Sequence, residues 1–311
     1  MRIVVASGGG GDGDARAARY RRCLRALPGV DLVDVSPDAV VVCGEPSLHR
    51  ELTELAAAAG AHVLCEPPLA GRVADAEAMI DVCSRAGVSL TLACPARFGP
   101  AFDAVREAVA DGRLGQLSTV NGTCHPDWAP HLVDLVDLLL DGEPAEEVYA
   151  QASTVAPASV VVVRYPGGTV ATWGHGYGAT RVELVGDRGT VRFDPLARLL
   201  DVRSAGRDGE HGTGRDGEHG TGRDGDHGTG RDGDRPGDHG TGCGGGGAAD
   251  LGAAVLDAAM LGAFVAGVRD GWPTGPDGAA GLRGLRIARA AHRSLGTGRP
   301  EPVGHRPGDP R

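Results

Sequence analysis

Lysine is missing from this chain: all 31 of its basic residues are arginine. No mechanism that needs an ammonium group of adjustable pKa is open to it. A basic excess is missing too, since the formal net charge is −10 and the pI is near 5.5. That excludes nucleic-acid binding driven by bulk charge. No unbroken apolar run reaches the roughly 18–20 residues of a membrane span, so no membrane association is expected. The stretch Met1–Ala6 gives way to glycines too soon for the apolar segment of a signal peptide. Seven cysteines, at 23, 43, 65, 83, 94, 124 and 243, include no CxxC pair. They read as reduced thiols in a cytoplasmic protein, with neither a disulfide framework nor a metal site. A Gly-x-Ser-x-Gly elbow and a reactive-cysteine context are also absent, which removes a nucleophile triad.

Glycine, by contrast, is abundant, with 52 residues, many of them concentrated in one stretch. Residues 206–242 repeat the octad GRDGEHGT with small drift and contain no apolar side chain. Such a segment cannot bury a core, and its composition predicts a disordered insertion spanning 206–247. Its Asp/Glu–His pairs read as a solvated repeat rather than as a metal site.

Outside the repeat, the pattern divides at residue 116. In 1–116, apolar runs alternate with helix-compatible stretches. Strands are expected at Ile3–Ala6, Val30–Val35, Ala39–Cys43, His62–Cys65 and Ser89–Leu92, with helices at 14–27, 48–59, 75–85 and 102–110. This is the signature of a doubly wound α/β domain. In 117–303, a strand at Leu117–Thr123 and an apolar helix at His131–Leu140 precede several strands crowded into 148–202. Two helices, 251–269 and 279–295, follow the repeat. The fold expected is a shortened Rossmann-type domain followed by an α+β domain with a mostly antiparallel sheet, and a tail at 304–311.

Gly8, Gly10 and Gly13 satisfy G-x-G-x-x-G directly after a strand and before a helix, the context in which backbone approaches a pyrophosphate. Four consecutive glycines match many spacings, so a plain flexible loop is the competing reading. The acidic residue that contacts a ribose should follow about 20 positions on, which makes Asp38, with Asp34, a candidate.

The segment Asp38–Val42, His49 and Ala61–Ala70, with Arg97-Phe98, Gly112–Gly115 and Asp127-x-x-x-His131-x-x-Asp134, resembles the glucose–fructose oxidoreductase/inositol dehydrogenase/MocA family. The resemblance covers nearly the whole chain outside 206–247. It implies NAD or NADP as cofactor, a sugar or polyol substrate and a homo-oligomer. It assigns cofactor contacts to His49, Glu66 and Arg97, and a catalytic pair to His131 as base and Asp127 as its partner. Histidine suits the base role because its pKa lies near neutrality. From the residues alone, Asp127 reads equally as a helix cap, and His131 as an ordinary helix-start histidine.

Two departures stand out. The family's Glu-Lys-Pro reads Glu66-Pro67-Pro68, so an arginine, Arg72 or Arg97, would have to polarise the reacting oxygen. Between the strands ending at Val35 and starting at Ala39 there is also no room for the crossover a parallel pair requires, which trims the adenosine side. Both departures favour an alternative, a catalytically inactive relative that binds a ligand or a protein.

Overall fold

The computed structural model describes residues 1–8, 11–125, 128–175, 180–195, 200–204, 246–271 and 274–304. Gly10, Asp127, the octad repeat at 206–242 and the tail beyond Gly304 lie outside these residues.

The chain opens with β1 (Arg2–Gly8), α1 (Asp12–Arg25), β2 (Asp31–Leu32), β3 (Ala39–Gly44), α2 (His49–Ala58), β4 (His62–Cys65), α3 (Val73–Ala86) and β5 (Leu90–Leu92). These strands form one parallel sheet in the order β2-β1-β3-β4-β5. Helices cover both faces, which is why Ala39–Cys43 is an unbroken apolar run, buried throughout.

The strand expected at Val30–Val35 shrinks to Asp31–Leu32, level with Arg2 and Ile3. Val33 N donates to Ile3 O at 3.0 Å, and Asp38 N donates to Arg2 O at 2.8 Å. Residues 33–38 thus carry the chain past the N-terminal end of β1, from one of its flanks to the other. Ser36, at φ 50°, supplies the reversal. Among the described residues the flank of β1 above Ile3 has no strand partner, and the Arg21 guanidinium donates to Val5 O at 2.8 Å in its place.

A 3-10 turn (Pro95–Phe98) and α4 (Pro100–Ala110) lead into β6 (Leu117–Cys124), α5 (Ala129–Leu139), β7 (Glu147–Ala152), β8 (Ser159–Arg164), β9 (Val170–His175), β10 (Arg181–Gly186), β11 (Gly189–Phe193) and β12 (Leu200–Ser204). Then come α6 (Gly246–Asp270), α7 (Gly278–Thr297) and β13 (Glu301–Pro302). The second sheet runs β12-β11-β10-β6-β9-β8-β7-β13, antiparallel except for the β6/β9 pair. Its inner face packs on α4, α5 and α7 around Phe102, Leu132, Leu135 and Trp173. Each such large side chain contributes roughly 1.5–3 kcal/mol of burial. Gly122 on β6 has no side chain because the Leu132 methyls lie directly over it, and this seats α5 on the sheet.

α6 corrects the expectation that no segment could span a membrane. Gly252–Asp270 is long and apolar enough by length and composition, with a mean hydropathy of 1.5. Asp257 interrupts the run and hides it from a search for unbroken apolar sequence. In the fold, Met260, Leu261, Phe264 and Val265 of α6 join the core of the first sheet beside Ile3, Val5 and Leu24. Asp257, 1% exposed, pairs with Arg19 of α1 at 2.5 Å.

Candidate active site

The C-terminal ends of β1, β3 and β4 converge on the start of α1. Gly8 closes β1, and Gly44, at φ 105°, closes β3. A Cβ on Gly13 would meet Gly44 Cα at 2.8 Å, so α1 lies against β3 backbone to backbone. Glu45 N donates to Gly8 O at 3.3 Å and closes the cradle. A helix start set against glycine at two strand ends is the frame a diphosphate uses, with the Leu48 side chain filling the space beside Gly8. Asp14, in the first turn, accepts from Ser7 Oγ at 3.1 Å and adds a negative charge at the same helix end.

Glu66 follows β4 and is 3% exposed. Its Oε2 accepts from Gly44 N at 3.2 Å, and Arg16 Nε lies 3.2 Å from Oε1 as an ion pair rather than an aligned hydrogen bond. The phenol of Tyr20 is pushed well up, by burial first and then by the Glu66 charge. The Arg16 side chain is 44% exposed and is the guanidinium paired with the buried Glu66. Sequence reading passed over Arg16; the available signal was its position three residues after Gly13, on the same helix face.

His131 sits in the first turns of α5, its ring centroid 5.2 Å from that of Trp128. Its Nδ1 is buried without a partner. Burial, reinforced by the Arg16 charge, pushes its pKa down to about 4. The imidazole is therefore neutral at pH 7 and able to accept a proton. Trp128 holds the cap position of α5.

Three expected site residues turn out to be placed for other work. Asp38 stands at the opposite, N-terminal edge of the sheet, where Arg2 N and Arg2 Nη2 donate to it at 2.7 and 2.9 Å. Those bonds hold its carboxyl below the usual range. A ribose carboxylate belongs at the other end, and β2 is too short to carry one there. His49 is 0% exposed. It lies with Nε2 3.2 Å from Gly44 O and Nδ1 3.2 Å from Leu69 O and 3.3 Å from Cys65 Sγ. Burial lowers its pKa. It ties the loop after β3 to the loop after β4 and positions Glu66 from behind, without reaching the cleft. Arg97 is committed to Asp134, with Nε and Nη2 at 2.7 and 2.6 Å from the two carboxylate oxygens. Both are buried, so Arg97 locks the 3-10 turn to α5 and has little left to offer a reacting oxygen. Arg72 is exposed, at the cap of α3. Gly8, Gly13 and Glu66 are thus brought together, with His131 close enough to feel Arg16. Among the described residues no cluster of metal-ligating side chains occurs.

Comparison with known proteins adds three findings. Residues 24–94 match the family model described as "Oxidoreductase family, NAD-binding Rossmann fold", and 122–304 match its "C-terminal alpha/beta domain". The first match begins beyond the glycine loop. Among curated relatives, myo-inositol 2-dehydrogenase of Thermotoga maritima is 28% identical over 52% of this chain and 58% of its own length. D-apiose dehydrogenase of Paraburkholderia graminis is 40% identical over 33% of this chain and 26% of its own. The matched stretches therefore span little more than half of the first relative and about a quarter of the second. Among solved structures, an oxidoreductase from Agrobacterium radiobacter in complex with NAD+, L-tartaric acid and magnesium superposes with a TM-score of 0.70. At 16% identity over 98% of both chains, it speaks to the fold.

Proposed function

The chain belongs to the Gfo/Idh/MocA oxidoreductase family, and from that premise we propose that it is an NAD(P)-dependent oxidoreductase acting on a sugar, cyclitol or similar alcohol or ketone. The observation that carries this reading is the neutral His131, placed near the Arg16–Glu66 pair beside a glycine cradle at the strand ends. Nicotinamide, when bound, supplies the acceptor or donor of hydride.

The protein's own groups divide the remaining work. Gly8 and Gly13 carry no side chain where the diphosphate would sit, Gly10 is assigned to the same loop by its motif, and Glu66 stands at the strand end beside Gly44. His131 is assigned to take the proton from the carbinol oxygen; it is neutral at pH 7, but a pKa held near 4 rather than near neutrality makes it a weaker base than an ordinary histidine. Asp127, four residues earlier in the chain, is assigned to orient or charge-balance that ring. With Pro67 where the family signature has lysine and Arg97 spent on Asp134, Arg16 is the cation left to face the developing oxygen charge. A guanidinium can stabilise that charge but is a poor proton donor.

The adenosine end is read weakly, because β2 stops level with Ile3 and carries no acidic residue beside the glycine loop. Discrimination between NAD and NADP is therefore small. The outer face of the second sheet is the surface for self-association, and the cysteines, six of them free among the described residues, suit a cytoplasmic setting.

A titration with NADH and NADPH, followed by tryptophan-to-nicotinamide energy transfer and checked by calorimetry, tests the proposal. Micromolar binding of both, within about tenfold of each other, is expected. No binding at millimolar cofactor would refute the reading and leave a binding protein on an inherited fold.

A further inference from the structure

Between the two sheets lies a cavity of about 380 Å3. One wall is the turn Pro67-Pro68-Leu69, which directly follows Glu66. Another is the start of α5, where Ala129, Pro130 and Val133 flank His131. Trp173 and Val161 of the second sheet, with one side of α7, complete it. The cavity therefore touches the immediate chain neighbours of both the strand-end carboxylate and the proposed base.

Its chemistry is mostly apolar. Of the polar groups lining it, Asp134 is spent on Arg97, and Ser159 Oγ lies 2.8 Å from His175 Nδ1. His292 of α7 also lines it, and His175 Nε2 is buried without a partner. A polyol seated here would leave most of its hydroxyls unpaired, and each unpaired hydroxyl costs affinity. An aromatic ring or a short alkyl chain would gain by burial against the same walls. Pro67 links this to the sequence. The substitution that removes a charged side chain from the position after Glu66 also puts a rigid apolar ring in the cavity wall.

We propose that this cavity receives an apolar substituent carried by the substrate, so that the protein takes an aryl- or alkyl-substituted sugar or cyclitol in preference to the bare polyol. The inference rests on the oxidoreductase reading above, and it names the substrate class of that site.

The test is a calorimetric titration of the full chain with phenyl β-D-glucoside, phenol and methyl β-D-glucoside, with NADH titrated into the same samples. Phenyl glucoside should bind at least about tenfold tighter than methyl glucoside, and phenol should saturate. Ala288→Phe closes the cavity from an exposed position on α7, where a larger side chain spares the core. It should weaken both phenyl probes about tenfold or more. Phenyl and methyl glucosides binding alike, or failing alike, would overturn the inference from the wild type alone, whatever the variant does. So would phenyl binding indifferent to Ala288→Phe. NADH bound without phenyl selectivity defeats this inference and spares the oxidoreductase reading. Phenyl selectivity without NADH binding defeats the oxidoreductase reading, and with it the claim that the occupant is a substrate, leaving only an apolar ligand pocket.

Discussion

His131 shows how burial sets the terms for a single side chain. Its ring lies beside that of Trp128 with Nδ1 unpaired, and its pKa falls from 6.5 to about 4. The folded pKa lies below the unfolded one, so between about pH 6.5 and 4 the unfolded chain holds the extra proton. Stability is therefore complete above that window and declines as the pH falls through it. Between pH 7 and pH 5, His131→Gln should lose about 2 kcal/mol less than the wild type, measured by urea unfolding at the two pH values. Parallel losses would show that the ring is solvated. Legibility at this scale was uneven. Gly8, Gly13 and Glu66 lie together at the strand ends, because a glycine turn and a strand-end carboxylate are fixed by local chain geometry. Asp38 and Arg97 went to other tasks because an ion-pair partner distant in sequence, Arg2 or Asp134, is invisible to a motif.

Elements were more legible than residues, and β2 shows why. Its run of alternating apolar residues looks like a full strand, yet the short path to β3 forces the chain to leave β1 after two residues. Pattern reports what a segment would bury; connection length decides what it can reach. α5 is the converse. Its apolar periodicity is plain in the sequence, but its placement depends on two partly buried ion pairs. Asp134 is held by Arg97, and Asp137 by Arg283 at 2.6 and 2.9 Å. Arg97→Ala leaves the Asp134 carboxylate buried and unpaired and should cost about 3–5 kcal/mol in chemical denaturation. The double variant Arg97→Met with Asp134→Leu should recover most of that loss. A single variant near wild-type stability would mean that α5 is held by packing alone.

At the scale of the whole molecule, the second sheet covers only one of its faces with helices. On the other, Tyr149 and Val160 are exposed, at 37% and 52%, between the charged pairs Glu147–Arg164 and Glu183–Arg192. An apolar centre with a charged rim is how self-association surfaces are built. Val160→Glu should shift the light-scattering mass at micromolar concentration from oligomer to monomer; a wild type already monomeric would remove that assignment. α6 has a consequence of another kind. It is delivered to the ribosome exit about 200 residues after β3, one of the strands it covers, and it completes their apolar face with Met260, Leu261 and Phe264. The N-terminal half therefore cannot mature as it emerges. It stays half-clad until α6 has been made, and for that interval it depends on whatever shields nascent chains in the cell.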